Sequence, residues 1–133
     1  MATLEQNHWT LDNAESRHAT APDTFRIPSH AERSGLQAGQ MVQLLFLFLN
    51  AEPDGSQIID CEKMWVTIKG ADGGRYWGQL ESLPQTSNAL APLAQIEFGP
   101  EHVAALFIRK TDPGHPAVRT AITNAETPSK SGE

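Results

Sequence analysis

Three groups of residues in this chain have the types that chemistry requires. The first is Asp60-Cys61-Glu62. Carboxylates two residues apart on a strand share a face, where one protonated and one ionised carboxyl can serve as general acid and general base. A thiol between them is poorly placed as a nucleophile, because adjacent negative charge raises its pKa and opposes the thiolate. Solvated carboxylates beside an inert cysteine are the simpler reading of the same residues. The second group is the five histidines, His8, His18, His30, His102 and His115, none spaced as H-x-H or H-x-x-x-H and none beside Cys61. A zinc or iron centre would have to be assembled from scattered positions, so no metal ligand is assigned. The third is Gly70-Ala-Asp-Gly-Gly74, which lies between two strand-like segments, whereas a phosphate cradle leads into a helix. With no Walker loop and no G-x-S-x-G elbow, no catalytic residue and no cofactor is expected, and the chain reads as non-enzymatic.

The aromatic residues point to binding. Met64-Trp65 and Tyr76-Trp77 fall on adjacent strands of one predicted hairpin, so pairing through Gly70–Gly74 puts Trp65 and Trp77 on one sheet face. Two large, rigid rings on an exposed face make a binding anchor; the competing arrangement has them covering the core beneath the first helix. With Tyr76 as a third anchor and Asp60, Glu62, Asp72 and Glu81 as acidic contacts, these seven residues are the candidate partner-binding set. The charge balance agrees: 10 Lys and Arg against 16 Asp and Glu give a net charge of −6. Such a chain lacks the basic surface that nucleic acid demands, repels anionic membranes and favours a basic protein partner.

A single α+β domain over residues 8–109 must position these residues, followed by a flexible tail over 110–133 that is too poor in aliphatic residues to offset its ordering entropy. A chain of 133 residues buries roughly 65–70% of its extended surface, enough for a core without disulfides, and the lone Cys61 can form none internally. Two short helices are expected near the amino terminus. One, between Thr10 and Ala21, is capped by Thr10 or Asp12 with Glu15 three residues beyond Asp12; the other opens on the capping box Ser29-His-Ala-Glu32 and ends before Gly35. Met41 to Leu49 is almost continuously apolar and bracketed by Gly39 and Pro53-Asp-Gly55, which predicts a strand covered on both faces. Glu62 to Lys69, Arg75 to Glu81 and Leu93 to Phe98 alternate as half-buried strands, and Glu101 to Arg109 reads as a short helical turn or a last strand. The architecture expected is a curved antiparallel sheet of about five strands, partly barrel-like, with the two helices packed on it. No lysine or arginine precedes Arg17, and the longest apolar run is far below the ~20 residues of a membrane-spanning helix; a soluble cytoplasmic protein is expected.

Several short strings carry a family resemblance: Glu62-Lys-Met-Trp-Val66, Arg75-Tyr-Trp-Gly-Gln-Leu80, Ser82-Leu-Pro84 and Phe98-Gly-Pro-Glu-His-Val103, preceded by Phe25-Arg-Ile-Pro28, Glu32-Arg33 and Leu36-Gln-Ala-Gly39. Over residues 8–108 the chain resembles the YegJ-like bacterial domain of unknown function, departing from it at Ser82-Leu83, where that family favours an asparagine-containing pair. The resemblance implies a mostly β unit with no enzymatic role to carry over. Through the contact-dependent toxin systems in which such proteins occur, it also implies an immunity protein that occludes a cognate toxin. The alternative is a small-molecule or carbohydrate sensor that uses the aromatic sheet face as a stacking platform.

Overall fold

The apolar run that begins at Met41 forms the central strand of the molecule. In the computed structural model, which describes residues 1–107, the elements are α1 (Leu4–Asn7), β1 (Trp9–Leu11), α2 (Ala14–Thr20), α3 (His30–Ser34), β2 (Met41–Ala51), β3 (Gln57–Asp72), β4 (Arg75–Leu80), β5 (Gln95–Phe98), a 3-10 turn (Pro100–His102) and β6 (Val103–Leu106). The tail expected over residues 110–133 lies outside the described residues. On one edge β2 pairs with β3 along its whole length; on the other, β1 and β6 lie end to end. With β4 and β5 following β3, all antiparallel, the sheet has five strand positions and curls into a half-barrel.

The lack of alternation in β2 has a simple cause. Val42, Leu44, Phe46 and Phe48 are fully buried on the inner face with Met64, Val66, Ile68, Leu80, Ile96 and Phe98. Leu45, on the outer face, is fully buried as well, against Ala14 of α2 and Ala104 of β6, with Phe25 and Ile27 packed around them. Each such side chain contributes roughly 1.5–3 kcal/mol on burial, so a strand buried on both sides anchors the sheet more firmly than any neighbour.

Local signals are realised where pairing does not override them. The Ser29 box forms in full: Ser29 N–H donates to Glu32 Oε1 at 2.8 Å and Glu32 N–H donates to Ser29 Oγ at 3.1 Å. The helix expected from Thr10 starts later, at Ala14, with Asn13 Oδ1 accepting from Ser16 N–H at 2.8 Å. Thr10 and Leu11 are drawn instead into β1 opposite Leu47 and Phe46, because a buried pairing is worth more than a helix turn. The turn at Leu4–Asn7, capped by Thr3, is an addition that the sequence reading did not include. Leu93 takes a left-handed φ of 61°, so the last hairpin strand begins at Gln95 rather than Leu93. The stretch after Gly99-Pro100 supplies both the helical turn and the final strand.

One buried arginine ties the non-sheet parts to the sheet. The Arg33 guanidinium donates to Glu15 Oε2 at 2.5 Å, to the Pro100 carbonyl at 2.8 Å and to the Pro28 carbonyl at 2.8 Å. The Tyr76 hydroxyl donates to the Arg33 carbonyl at 2.8 Å and accepts from Leu36 N–H at 3.3 Å. Beside this junction the buried His102 ring accepts from Gly99 N–H through Nδ1 at 3.0 Å. Burial pushes the imidazole below its usual value, outweighing the opposing charges of Glu101, Glu15 and Asp12, while Arg75 adds to the depression.

Two outcomes follow. Tyr76→Phe leaves the Arg33 carbonyl and the Leu36 amide without their buried partner and lowers unfolding stability by about 1–3 kcal/mol; urea titration reads this as a lower midpoint at unchanged slope. Because His102 holds its proton less readily in the native state than in the unfolded one, its contribution is complete above about pH 6.5 and is lost as pH falls below that value. The urea midpoint should drop between neutral pH and about pH 5, with a flatter profile in that window for His102→Gln.

Candidate functional site

The β3–β4 hairpin sets the candidate surface. Asp72 and Arg75 flank a two-residue turn, Gly73-Gly74, whose φ angles of 60° and 82° are those that glycine adopts without steric cost in a tight hairpin. The turn is therefore shorter than the Gly70–Gly74 loop expected, and Gly70 and Ala71 belong to β3. A register shift between Ile68 and Gly70 places Gly70 opposite Trp77. The indole lies directly on that glycine: a Cβ at Gly70 would stand 2.1 Å from Trp77 Cζ2. An aromatic ring covering a cross-strand glycine is held in place by it, and Trp77 remains 38% exposed.

Trp65 and Trp77 stand on the same outer face, as expected, with the Thr67–Gln79 rung between them. Trp65 packs edge-on against Phe107, ring centroids 5.9 Å apart at 87°, and Phe107 is 53% exposed. Neither tryptophan lies beneath the first helix, since α2 covers Leu45 instead. Glu97 of β5 sits directly across from Trp77. Trp77, Asp72, Arg75, Gln95 and Glu97 line a shallow groove of about 360 Å³. Arg75 is engaged there, donating to Glu101 Oε2 at 2.7 Å. Burial pushes the Glu101 carboxyl up, but the Arg75 hydrogen bond and the nearby positive charge outweigh it and hold that carboxyl below its usual range.

The remaining members of the sequence-derived set are divided among other places. Tyr76 is no surface anchor. It is buried, its ring 5.3 Å from Phe98 and its hydroxyl spent on Arg33 and Leu36, because alternation along β4 sends it inward when Trp77 points out. Asp60 and Glu62 share a face with each other, opposite Phe48 and Phe46, and that is the inner face, away from the tryptophans. Asp60 accepts from Asn50 Nδ2 at 2.7 Å. Glu62 gathers the following loop, accepting from Gln85 N–H, Thr86 N–H and Thr86 Oγ1 at 2.9–3.1 Å. Asp72 is exposed at the hairpin end, and Glu81 is exposed with its amide donating to the Trp65 carbonyl at 2.9 Å. Glu97, Gln95 and Phe107 were missed. Glu97 joins Trp77 only through β4–β5 pairing, which no local motif announces.

Cys61 is exposed on the outer face, where Arg17 Nη2 donates to its Sγ at 3.6 Å. Among the described residues no three His, Cys, Asp or Glu side chains are grouped so as to hold a metal ion, and no described helix is long and apolar enough to cross a membrane. Comparison with protein-family models, with curated proteins and with solved structures finds no match to the chain.

The Trp77–Gly70 contact yields a direct test of the platform. Gly70→Ala forces the indole off the sheet, costing about 1–3 kcal/mol through overpacking despite the usual gain of replacing a strand glycine. The tryptophan fluorescence should shift to the red as the ring enters solvent.

Proposed function

We propose that this chain is a non-catalytic protein-binding module, and most concretely a bacterial immunity protein that neutralises a basic cognate toxin in the cytoplasm by covering its working surface. The observation that carries this reading is the Trp77 indole, seated on Gly70 with much of its surface left to solvent, on the half of the outer sheet face that α2 leaves bare. A preorganised aromatic ring flanked by polar groups has the character of an interface hot spot, since little side-chain entropy is lost when a partner closes over it. Trp65 and Phe107 extend the apolar area along the same face, and Glu97, Asp72 and Glu81 supply a negative rim. With a net charge of −6, that rim speeds encounter with a basic partner and disfavours acidic ones. Occlusion asks for no reactive group; the toxin identity of the partner rests on the YegJ-like resemblance.

A second reading is favoured by the groove beside Trp77. Its volume of about 360 Å³ and a lining that includes the Trp77 indole together with Asp72, Arg75, Gln95 and Glu97 suit a sugar ring stacked on the aromatic face. A thermal-shift screen against mono- and oligosaccharides separates the two, since a bound ligand raises the melting temperature.

The primary test is co-expression with a toxic protein encoded beside this chain. Cells should grow only when both are made, the two should co-purify, and Trp77→Ala should weaken the complex by roughly tenfold or more. The absence of both protection and a complex with any neighbouring gene product would defeat the proposal.

A further inference from the structure

The groove beside Trp77 does not end at Glu97. A second hollow of about 290 Å³ continues it along the free side of β5, with Asn7 and Trp9 on one wall and Gln95 and Glu97 on the other. Met1, Gln95 and Glu97 belong to both hollows, and Met1 Sδ accepts from Arg75 Nη2 at 3.4 Å. Alone, the second hollow falls below the roughly 300–1,000 Å³ of ligand pockets; joined to the first, it lies within that range. The polar groups along this trough are unspent. Leu80 N–H donates to the Ala94 carbonyl at 2.9 Å, which makes Ile96 and Phe98 the β5 residues bonded to β4. The N–H and C=O of Gln95 and Glu97 are thereby turned to the open side. Among the described residues neither those groups nor the Asp72, Gln95 and Glu97 side chains have a hydrogen-bond partner. Arg75 is committed to Glu101, and at one end stands the Trp77 indole, backed by Gly70 and partly exposed.

We infer that this trough binds an uncharged oligosaccharide of two or more gluco-configured rings, one stacked on Trp77 and the next lying along the β5 edge. The inference rests on the sugar reading of the Trp77 groove given above and adds chain length, charge and ring configuration. A pyranose whose hydroxyls are all equatorial has flat C–H faces, the surface that an indole covers best. Carboxylates accept hydrogen bonds and amides both accept and donate them, so Glu97, Gln95 and the β5 main chain can meet adjacent hydroxyls in pairs. The charges left free on the lining are of mixed sign, Asp72 and Glu97 against the Met1 amine. They select no ionic ligand, and a chain of −6 repels acidic sugars. An extended peptide is a poorer occupant. Strand addition needs a run of alternate open groups, and β5 offers two such residues before Gly99-Pro100 turns the chain away.

The test titrates the full chain with glucose, with the β-1,4-linked glucose trimer, and with the corresponding trimers of glucuronic acid and of glucosamine. Calorimetry gives the affinities, and isotope-edited NMR reads the backbone amides and indole N–H groups. The neutral trimer should bind at least roughly tenfold more tightly than glucose, and it should shift the Gln95 and Glu97 amides together with the Trp77 indole. Both charged trimers should bind at least roughly tenfold more weakly than the neutral one. Gln95→Ala, at an exposed position, should remove most of the gain from chain length and leave glucose binding unchanged. Trp77→Ala should abolish binding of both sugars with the far-ultraviolet spectrum retained; should that variant unfold, the NMR shifts of the unaltered chain decide the site. Glucose binding with no gain from the trimer would overturn the extended site and leave the sugar reading of the Trp77 groove standing. Equal or tighter binding of a charged trimer, or shifts that miss Gln95 and Glu97, would also overturn the inference. Binding of no sugar at all would remove the reading beneath it.

Discussion

The structure depends on how the Arg33 charge is satisfied out of water. A guanidinium that is nearly fully buried is tolerable only when its donors are met, and here Glu15, Pro28 and Pro100 meet them. Those three acceptors belong to α2, to the approach to α3 and to the turn after β5, segments far apart in the chain that the sheet alone would not hold together. The Tyr76 hydroxyl fixes the Arg33 carbonyl at the same point, so the helical layer is tied to the second half of the sheet by hydrogen bonds and to β2 by apolar packing. Loss of one partner would strand the rest of a low-dielectric network, which is why such junctions tend to fail as a unit.

That junction also decides what remains open. By drawing α2 toward Arg33 and over Leu45, it covers the β2 and β6 end of the outer face and leaves the β3, β4 and β5 end bare. The aromatic rings there are stabilised by the sheet itself, Trp77 by the missing side chain of Gly70 and Trp65 by Phe107. A ring that rests on backbone can stay partly exposed without wandering, at a modest hydrophobic cost.

Much of this was legible in the residues. The double-sided burial of β2 followed from its unbroken apolar run, the Ser29 capping box from four adjacent residues, and the common face of Trp65 and Trp77 from alternation across a glycine turn. The errors arose where a local signal met a longer-range one. Thr10 and Asp12 look like helix caps, but β1 pairing claims Thr10 and Leu11 and passes the cap to Asn13. Tyr76 looks like an anchor beside Trp77, yet adjacent residues of a strand must face opposite sides, and alternation assigns the tyrosine to the core. The same rule separates Asp60 and Glu62 from the tryptophans, and it was available from parity along β3. Glu97, by contrast, depends on β4–β5 register across a fourteen-residue connection, Glu81 to Ala94, with no periodicity of its own to read.

Parity along β3 carries a consequence for recognition. Glu62, Lys63 and Trp65 are near neighbours in sequence, but Glu62 belongs to the inner face and Lys63 and Trp65 to the outer one. A slip of one residue in the pairing of β3 would exchange the two faces, sending Met64 and Val66 to solvent and Trp65 to the core. Nothing in the short hairpin to β4 prevents that slip, since its own register already shifts at Ile68/Gly70. The pairing with β2, unbroken from Met41–Thr67 to Ala51–Gln57, does prevent it, because any slip must expose the fully buried side chains of both strands at once. The strand buried on both faces thus fixes which side chains of β3 turn to the core and which, Trp65 among them, turn to the outer face.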